Sequence, residues 1–132
     1  MKIAQHVIDD VVAHAREEAP KECCGLLIGN RITIESSVRA RNREASPTRY
    51  LIDPEDHFAA IHAARAAGKR VVGAYHSHPA SSPQPSESDI AEARWGSDFV
   101  YVIVSLKSPE AEVFAYRLKH GAVMPVPIGP VE

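Results

Sequence analysis

Two short apolar runs limit most sharply how this chain can fold: FVYVIVSL at residues 99–106 and RVVGAY at residues 70–75. Runs of this length, rich in Val, Ile and Tyr, read as strands rather than helices. The first is the clearest strand in the chain, and the second is of the buried type. RVVGAY leads straight into His76-Ser77-His78-Pro79, so a strand delivers two imidazoles at its end.

The segments around these strands complete the architecture. Residues 5–19 set Val7, Ile8, Val11, Val12 and Ala15 on one stripe at helical spacing, and Pro20 closes the segment. Cys24 to Ile28 is a short apolar run, and Gly29-Asn30 suits a tight turn into ITIESSV, so residues 23–38 read as a hairpin. Residues 40–48 are polar and form a loop, followed by a short strand from Tyr50 to Ile52. Asp53-Pro54 supplies an N-cap and a first-turn proline, with Glu55 and Asp56 at the positive end of the helix that follows. That helix runs through Phe58, Ile61 and Ala64, and Gly68 stops it. The loop PASSPQP, residues 79–85, is stiffened by three prolines, and Ser86 opens a short helix to about Arg94. Ser108-Pro109-Glu110 turns the strongest strand back into AEVFAYRL, and the proline-broken AVMPVPI lies along an edge. The order predicts an α/β (α+β) domain over residues 1–132, with a mixed, curved β-sheet flanked by about three helices.

Bulk properties exclude several function classes. A chain of 132 residues with 45% apolar and 24% charged residues suits one compact globular domain. A net charge of −2, without a lysine and arginine cluster, argues against nucleic acid as partner. No apolar run approaches the roughly 18 residues of a membrane span, and MKIAQHVIDD lacks an apolar signal core. The expectation is a cytoplasmic protein without a membrane partner; oligomeric state is left open. Cys23 and Cys24 are adjacent, which gives neither a spaced disulfide framework nor a C-x-x-C pair, and fits reduced thiols.

The chemistry concentrates at His76, His78 and Asp89. In an extended chain, residues two apart share a face with Cα atoms roughly 6.5–7 Å apart, so two imidazoles can converge on one zinc. Pro79 biases His78 toward extended backbone, and Ser77 faces the scaffold. Asp89 falls in the first turn of the Ser86 helix, where the proline loop can bring its carboxylate back as a third ligand. Two histidines and a carboxylate leave a fourth position for water, the pattern of a catalytic site rather than a closed one. Such a site needs a general base, and Glu22, just before the first hairpin strand, is the leading candidate.

Glu22, then His76-Ser77-His78, seven residues, Ser86, two residues and Asp89 resembles, without a gap, the signature of the JAMM metalloproteases, also called the MPN-plus or Mov34/PAD-1 family. The flanks Glu22-Cys23-Cys24-Gly25-Leu26-Leu27 and Gly73-Ala74-Tyr75 agree with it, and the resemblance extends roughly from Val7 to Arg117. It implies Zn2+ held by His76, His78 and Asp89. It further implies that Glu22 takes a proton from water and returns it to the leaving amine, and that Ser86 stabilises the oxygen of the tetrahedral intermediate. The compact form, without room for the insertions of the eukaryotic deubiquitinases, resembles prokaryotic members. Some of those trim ubiquitin-like sulfur-carrier proteins or release cysteine from the carrier's C-terminus during cysteine synthesis. The function so implied is zinc-dependent hydrolysis of a peptide or isopeptide bond at the tail of a ubiquitin-like or sulfur-carrier protein. The alternatives are a non-catalytic MPN scaffold or binding module and an isopeptidase acting on other ubiquitin-like conjugates.

Plainer roles compete at several positions. Ser86-x-x-Asp89 before a helix is also a capping box. His6, His14, His57, His62 and His120 read as surface or satisfied core histidines, Cys23 and Cys24 as small hydrophobes, and Tyr75, Trp95 and Phe99 as core. The H-x-E and P-C-x-x-C of nucleobase deaminases are missing from the sequence.

Overall fold

The computed structural model describes residues 1–93, 96 and 98–131. The chain runs β1 (Lys2–Ile3), α1 (Gln5–Glu18), β2 (Cys24–Gly29), β3 (Thr33–Ala40), α2 (Pro54–Ala66), β4 (Arg70–His78), α3 (Glu87–Glu92), β5 (Val100–Ser105), β6 (Glu112–Lys119), β7 (Ala122–Val126) and β8 (Gly129–Pro130). The strands form a single sheet in the order β7-β6-β5-β4-β2-β3-β1-β8. It is mixed, as expected: β4 pairs with β5 in parallel and with β2 antiparallel, so the histidine strand lies between two neighbours.

Burial alternates along the central strands and defines two faces. Val100, Val102 and Val104 of β5 join Leu27, Tyr75 and the α1 stripe Val7, Val11 and Ala15 in one core. Tyr101 and Ile103 face the other way, with Tyr116 and Leu118 of β6 and, from α3, Ile90. On that same side, Leu26, Ile28 and Ala74 pack against Ala60 and Ala64 of α2. Burying a side chain such as Val7, Val11 or Leu27 stabilises the fold by about 1.5–3 kcal/mol.

The caps follow the sequence at α2, where Asp53 Oδ1 accepts from the Glu55 and Asp56 N–H groups at 2.9 and 3.2 Å. Pro54 begins the helix, and Gly68 at φ +71° ends the turn behind it. Ala60 and Ala64 face the sheet, while Phe58 is 65% exposed. Small alanines let the helix lie close to the sheet, and Phe58 instead stacks on His62 one turn along.

Two expectations are corrected, and two short strands are new. Gly29 stays in β2, paired with Ile34, and the turn is residues 30–32, where Asn30 Oδ1 accepts from the Ile32 and Thr33 N–H groups. Tyr50 to Ile52 is not a strand; an isolated bridge joins Asn42 and Ile52, with the Arg43 N–H donating to the Leu51 carbonyl and the Asp53 N–H to the Arg41 carbonyl, while the Asn42 side chain accepts from the Leu51 N–H and donates to the Arg49 carbonyl. The two-residue strands β1 and β8 were not expected and pair in parallel. The expected helix end at Arg94 and the core role of Trp95 lie outside the described residues. Of the expected edge segment 122–128, residues 122–126 form β7, which among the described residues pairs with β6 alone. Among the described residues no helix is long and apolar enough to cross a membrane.

Candidate metal centre

His76 and His78 occupy the last turn of the pleat in β4, on the face shared with Ala74. Ser77 points to the opposite face, fully buried, and its Oγ accepts from the Cys23 N–H at 2.8 Å. The Ser77 N–H donates to the Cys23 carbonyl at 3.1 Å. These bonds continue the β2–β4 register beyond the pair Cys24↔His76 and bring Glu22 opposite His78. Main-chain register therefore assembles three of the expected site residues, Glu22, His76 and His78.

Asp89 arrives from the other side of the loop. The capping box is complete: the Asp89 N–H donates to Ser86 Oγ at 3.1 Å, and the Ser86 N–H donates to Asp89 Oδ2 at 2.9 Å. The same Oδ2 lies 3.1 Å from His76 Nε2 and 3.1 Å from His78 Nε2, and the two Nε2 atoms are 3.1 Å apart. Capping and convergence on the histidines therefore do not compete; one oxygen serves both. Among the described residues this is the group of His, Cys, Asp and Glu side chains placed to hold a metal ion.

The proton inventory of this triangle is informative. His78 Nδ1 lies 2.8 Å from the Ser82 carbonyl, which can only accept, so Nδ1 carries hydrogen. A neutral His78 then turns the bare lone pair of Nε2 toward Asp89 Oδ2, another acceptor. Only a positive charge at the centre, a proton or a metal ion, makes that edge attractive. The electrostatics agree. Burial lowers the pKa of His76, while at His78 the bond and charge of Asp89, with the Ser82 carbonyl, outweigh burial and raise it. Burial alone would raise Asp89, yet the two imidazoles hold its carboxyl well below the usual carboxylate range.

Glu22 is 4% exposed, and burial pushes its carboxyl up to about 8, opposed by the charge of His78 and aided by that of Asp89. Its Oε1 is buried without a hydrogen-bond partner. A buried acceptor left unpaired costs on the order of 1–3 kcal/mol, so the orphan oxygen suits a proton-bearing group supplied from outside. The Glu22 main chain is fixed at both ends: its N–H donates to the Ser46 carbonyl at 2.8 Å, and its carbonyl accepts from Asn42 Nδ2 at 3.1 Å. Asn42 also donates to the Arg49 carbonyl and accepts from the Glu44 and Leu51 N–H groups, filling its amide. The loop so tied carries Tyr50, whose ring stacks on His76 at 4.2 Å and 17°.

Sequence reasoning missed Asn42 and Tyr50, which sit in a polar stretch with no periodic signal. The thiols of Cys23 and Cys24 are buried, and burial pushes them up to about 11 and about 12, consistent with apolar packing rather than nucleophiles. Of the other histidines, His14 is a satisfied core residue whose Nδ1 lies 2.7 Å from the Tyr75 hydroxyl. Clefts of about 640 and 690 Å³, both lined by Arg31, Ile32 and Arg70, lie at the start of β4, away from the histidines.

The site is thus a sheet-borne pair of imidazoles closed by one capping carboxylate, with a buried glutamate beside them at the start of the neighbouring strand. The model of the prokaryotic homologues of the JAB domain matches residues 4–119, and the chain belongs to that family. Its relatives include the CysO-cysteine peptidase of Mycobacterium tuberculosis, 35% identical over 98% of this chain and 90% of the relative. The desampylase of Haloferax volcanii is 38% identical over 89% of this chain and 86% of its own. A protein from Desulfitobacterium hafniense, solved in solution, superposes with a TM-score of 0.91 at 30% identity, covering 99% of this chain and 92% of that one.

Proposed function

We propose that the chain is a cytoplasmic, zinc-dependent metallopeptidase that hydrolyses a peptide or isopeptide bond at the C-terminal tail of a ubiquitin-like sulfur-carrier protein. The observation that carries this reading is the triangle of two Nε2 atoms and one carboxylate oxygen with edges of 3.1 Å. Ligand atoms at tetrahedral corners about 2.0–2.1 Å from zinc lie about 3.3 Å apart, so the donor set fits that ion closely. The substrate class follows the family and relatives named for cleaving cysteine or proteins from small carriers.

His76, His78 and Asp89 would hold the ion. Zinc bound there lowers the pKa of water to about 7 and polarises the scissile carbonyl. Glu22, buried beside His78 with Oε1 unpaired, would be ionised by the charge of a bound ion despite its burial, and would then take the proton from the attacking water and return it to the leaving amine. Ser86 Oγ accepts from the Asp89 N–H and shares a contact of 3.1 Å with Ser88 Oγ. With Ser88 donating to it, the Ser86 hydroxyl is free to donate to the oxygen of the tetrahedral intermediate.

The test is direct. Zinc-loaded protein is mixed with a carrier extended beyond Gly-Gly by cysteine or by a lysine-linked peptide, and the products are read by mass. Release of the extension, with its loss in the presence of chelator, is the expected result. Intact carrier across several such extensions, with zinc present at one per chain, would point instead to the scaffold reading.

A further inference from the structure

Residues 79–85 join the two parts of the centre, yet make no backbone–backbone hydrogen bond among the described residues. Three of the seven are prolines and have no N–H to offer. The loop is held from outside instead. Three consecutive carbonyls, those of Ser81, Ser82 and Pro83, each accept one side-chain hydrogen bond. The donors are Ser105 Oγ at 2.6 Å, His78 Nδ1 at 2.8 Å and Tyr116 Oη at 2.6 Å. They stand on β5, β4 and β6, three neighbouring strands, and all three side chains are buried. Tyr116 has a second contact with this region: its ring belongs to the apolar cluster that seats Ile90, the residue after Asp89.

We propose that Tyr116 and Ser105 are positioning residues for the metal centre. They fix the loop on both sides of Ser82, so that its carbonyl stays aimed at His78 Nδ1 and the chain re-enters α3 with Asp89 on the histidines. The inference rests on the metal reading above. Outer partners that orient a ligating imidazole commonly contribute about 10–100-fold in metal affinity. Ser81 is exposed and Pro83 half-buried, so the loop that carries these carbonyls borders solvent. Water can therefore replace the lost donor, and a variant lacking the hydroxyl keeps its fold while the loop gains freedom. In Tyr116→Phe the ring that seats Ile90 is retained.

Zinc affinity is measured by competition with a chromophoric chelator for the wild-type protein, Tyr116→Phe and Ser105→Ala. Thermal unfolding in excess chelator and the imidazole N–H signal of His78 by NMR are recorded on the same samples. The expected outcome is an affinity loss of about 10-fold or more, unfolding midpoints in chelator close to wild type, and an exchange-broadened His78 Nδ1 proton. Affinities within about twofold of wild type overturn the proposal. So does a loss of affinity matched by a collapse of the midpoint in chelator, because that is a merely structural role. Should Tyr116→Phe not fold, Ser105→Ala decides by the same readings. A wild-type protein that takes up no zinc refutes the proposed function itself and this inference with it; equal binding by variant and wild type refutes only the inference.

Discussion

The two halves of the centre reach the same triangle by different means. His76 and His78 are set by the sheet: β4 is bonded to β2 on one side and β5 on the other, and both imidazoles are almost fully buried. Asp89 stands on a helix of six residues with no buried member, behind a loop that, among the described residues, is bonded through side chains alone. A rigid ladder supplies the nitrogen ligands and a tethered turn supplies the oxygen. The difference teaches that stability and metal binding should separate on the Asp89 side and stay coupled on the histidine side.

The largest expected effects test that separation. His76→Ala and Asp89→Ala should each leave the protein without zinc after dialysis and without measurable turnover, since each removes one of three ligands. Their stabilities should differ. Losing a buried ring stacked on Tyr50 opens a cavity and should cost about 2–4 kcal/mol. Losing Asp89 removes half of a capping box and should cost about 1 kcal/mol. Chemical denaturation in chelator measures both, and equal losses would end the comparison.

Next in size are the two groups proposed to act on the substrate. Glu22→Gln should keep zinc and lower kcat by about 10²–10⁴-fold, the usual worth of a positioned base. Ser86→Ala should lower kcat by about 10²–10³-fold with little change in KM, because its bond strengthens in the transition state. Glu22 belongs to the sheet half, clamped through both its main-chain groups, while Ser86 belongs to the turn. A Ser86→Ala variant that loses zinc rather than rate would assign the serine to holding Asp89 alone.

The legibility of the site follows the same division. The apolar run ending in His-Ser-His announces a strand and a shared face, and the structure has both, because a strand's periodicity fixes side-chain direction locally. Asp89 was legible through the spacing to Ser86, whose cap geometry is also local. Asn42, Tyr50 and Tyr116 were not. Their partners lie 20, 26 and 33 residues away in Glu22, His76 and Pro83, and no periodic pattern records a bond made by folding a loop back. Ser105 left a faint signal, a hydroxyl closing an otherwise apolar strand, which must find an acceptor once buried. Gly25 is a further case. A Cβ there would sit 2.3 Å from the Tyr75 ring and 2.4 Å from the Val38 carbonyl, so the glycine makes room for the ring that supports the histidine strand. Neither neighbour is adjacent in sequence. The buried face of α2 was not legible for a related reason: Phe58 outranks alanine in apolarity, but close approach to the sheet favours the smaller side chains.

The smallest expected effect concerns a bond that crosses between the halves. Arg49, on the loop anchored by Asn42, donates to Glu92 in α3 at 2.9 Å. Both side chains are about half exposed, so the pair is solvated and screened. Such pairs contribute between nothing and about 1 kcal/mol, since the Coulomb gain is offset by the ordering of two long side chains. Arg49→Ala should therefore shift the denaturation midpoint little, with the small shift fading as salt is added, and leave zinc affinity as it was. The reasoning is that α3 is already placed by its cap and by Ile90 against Tyr116, while Tyr50 is placed by Asn42 and its stack on His76. A loss beyond about 1 kcal/mol that persists in high salt would mean that the loop over His76 and the helix bearing Asp89 are one mechanical unit. The distinction between a sheet-built and a turn-built half would then have to be redrawn around that ion pair.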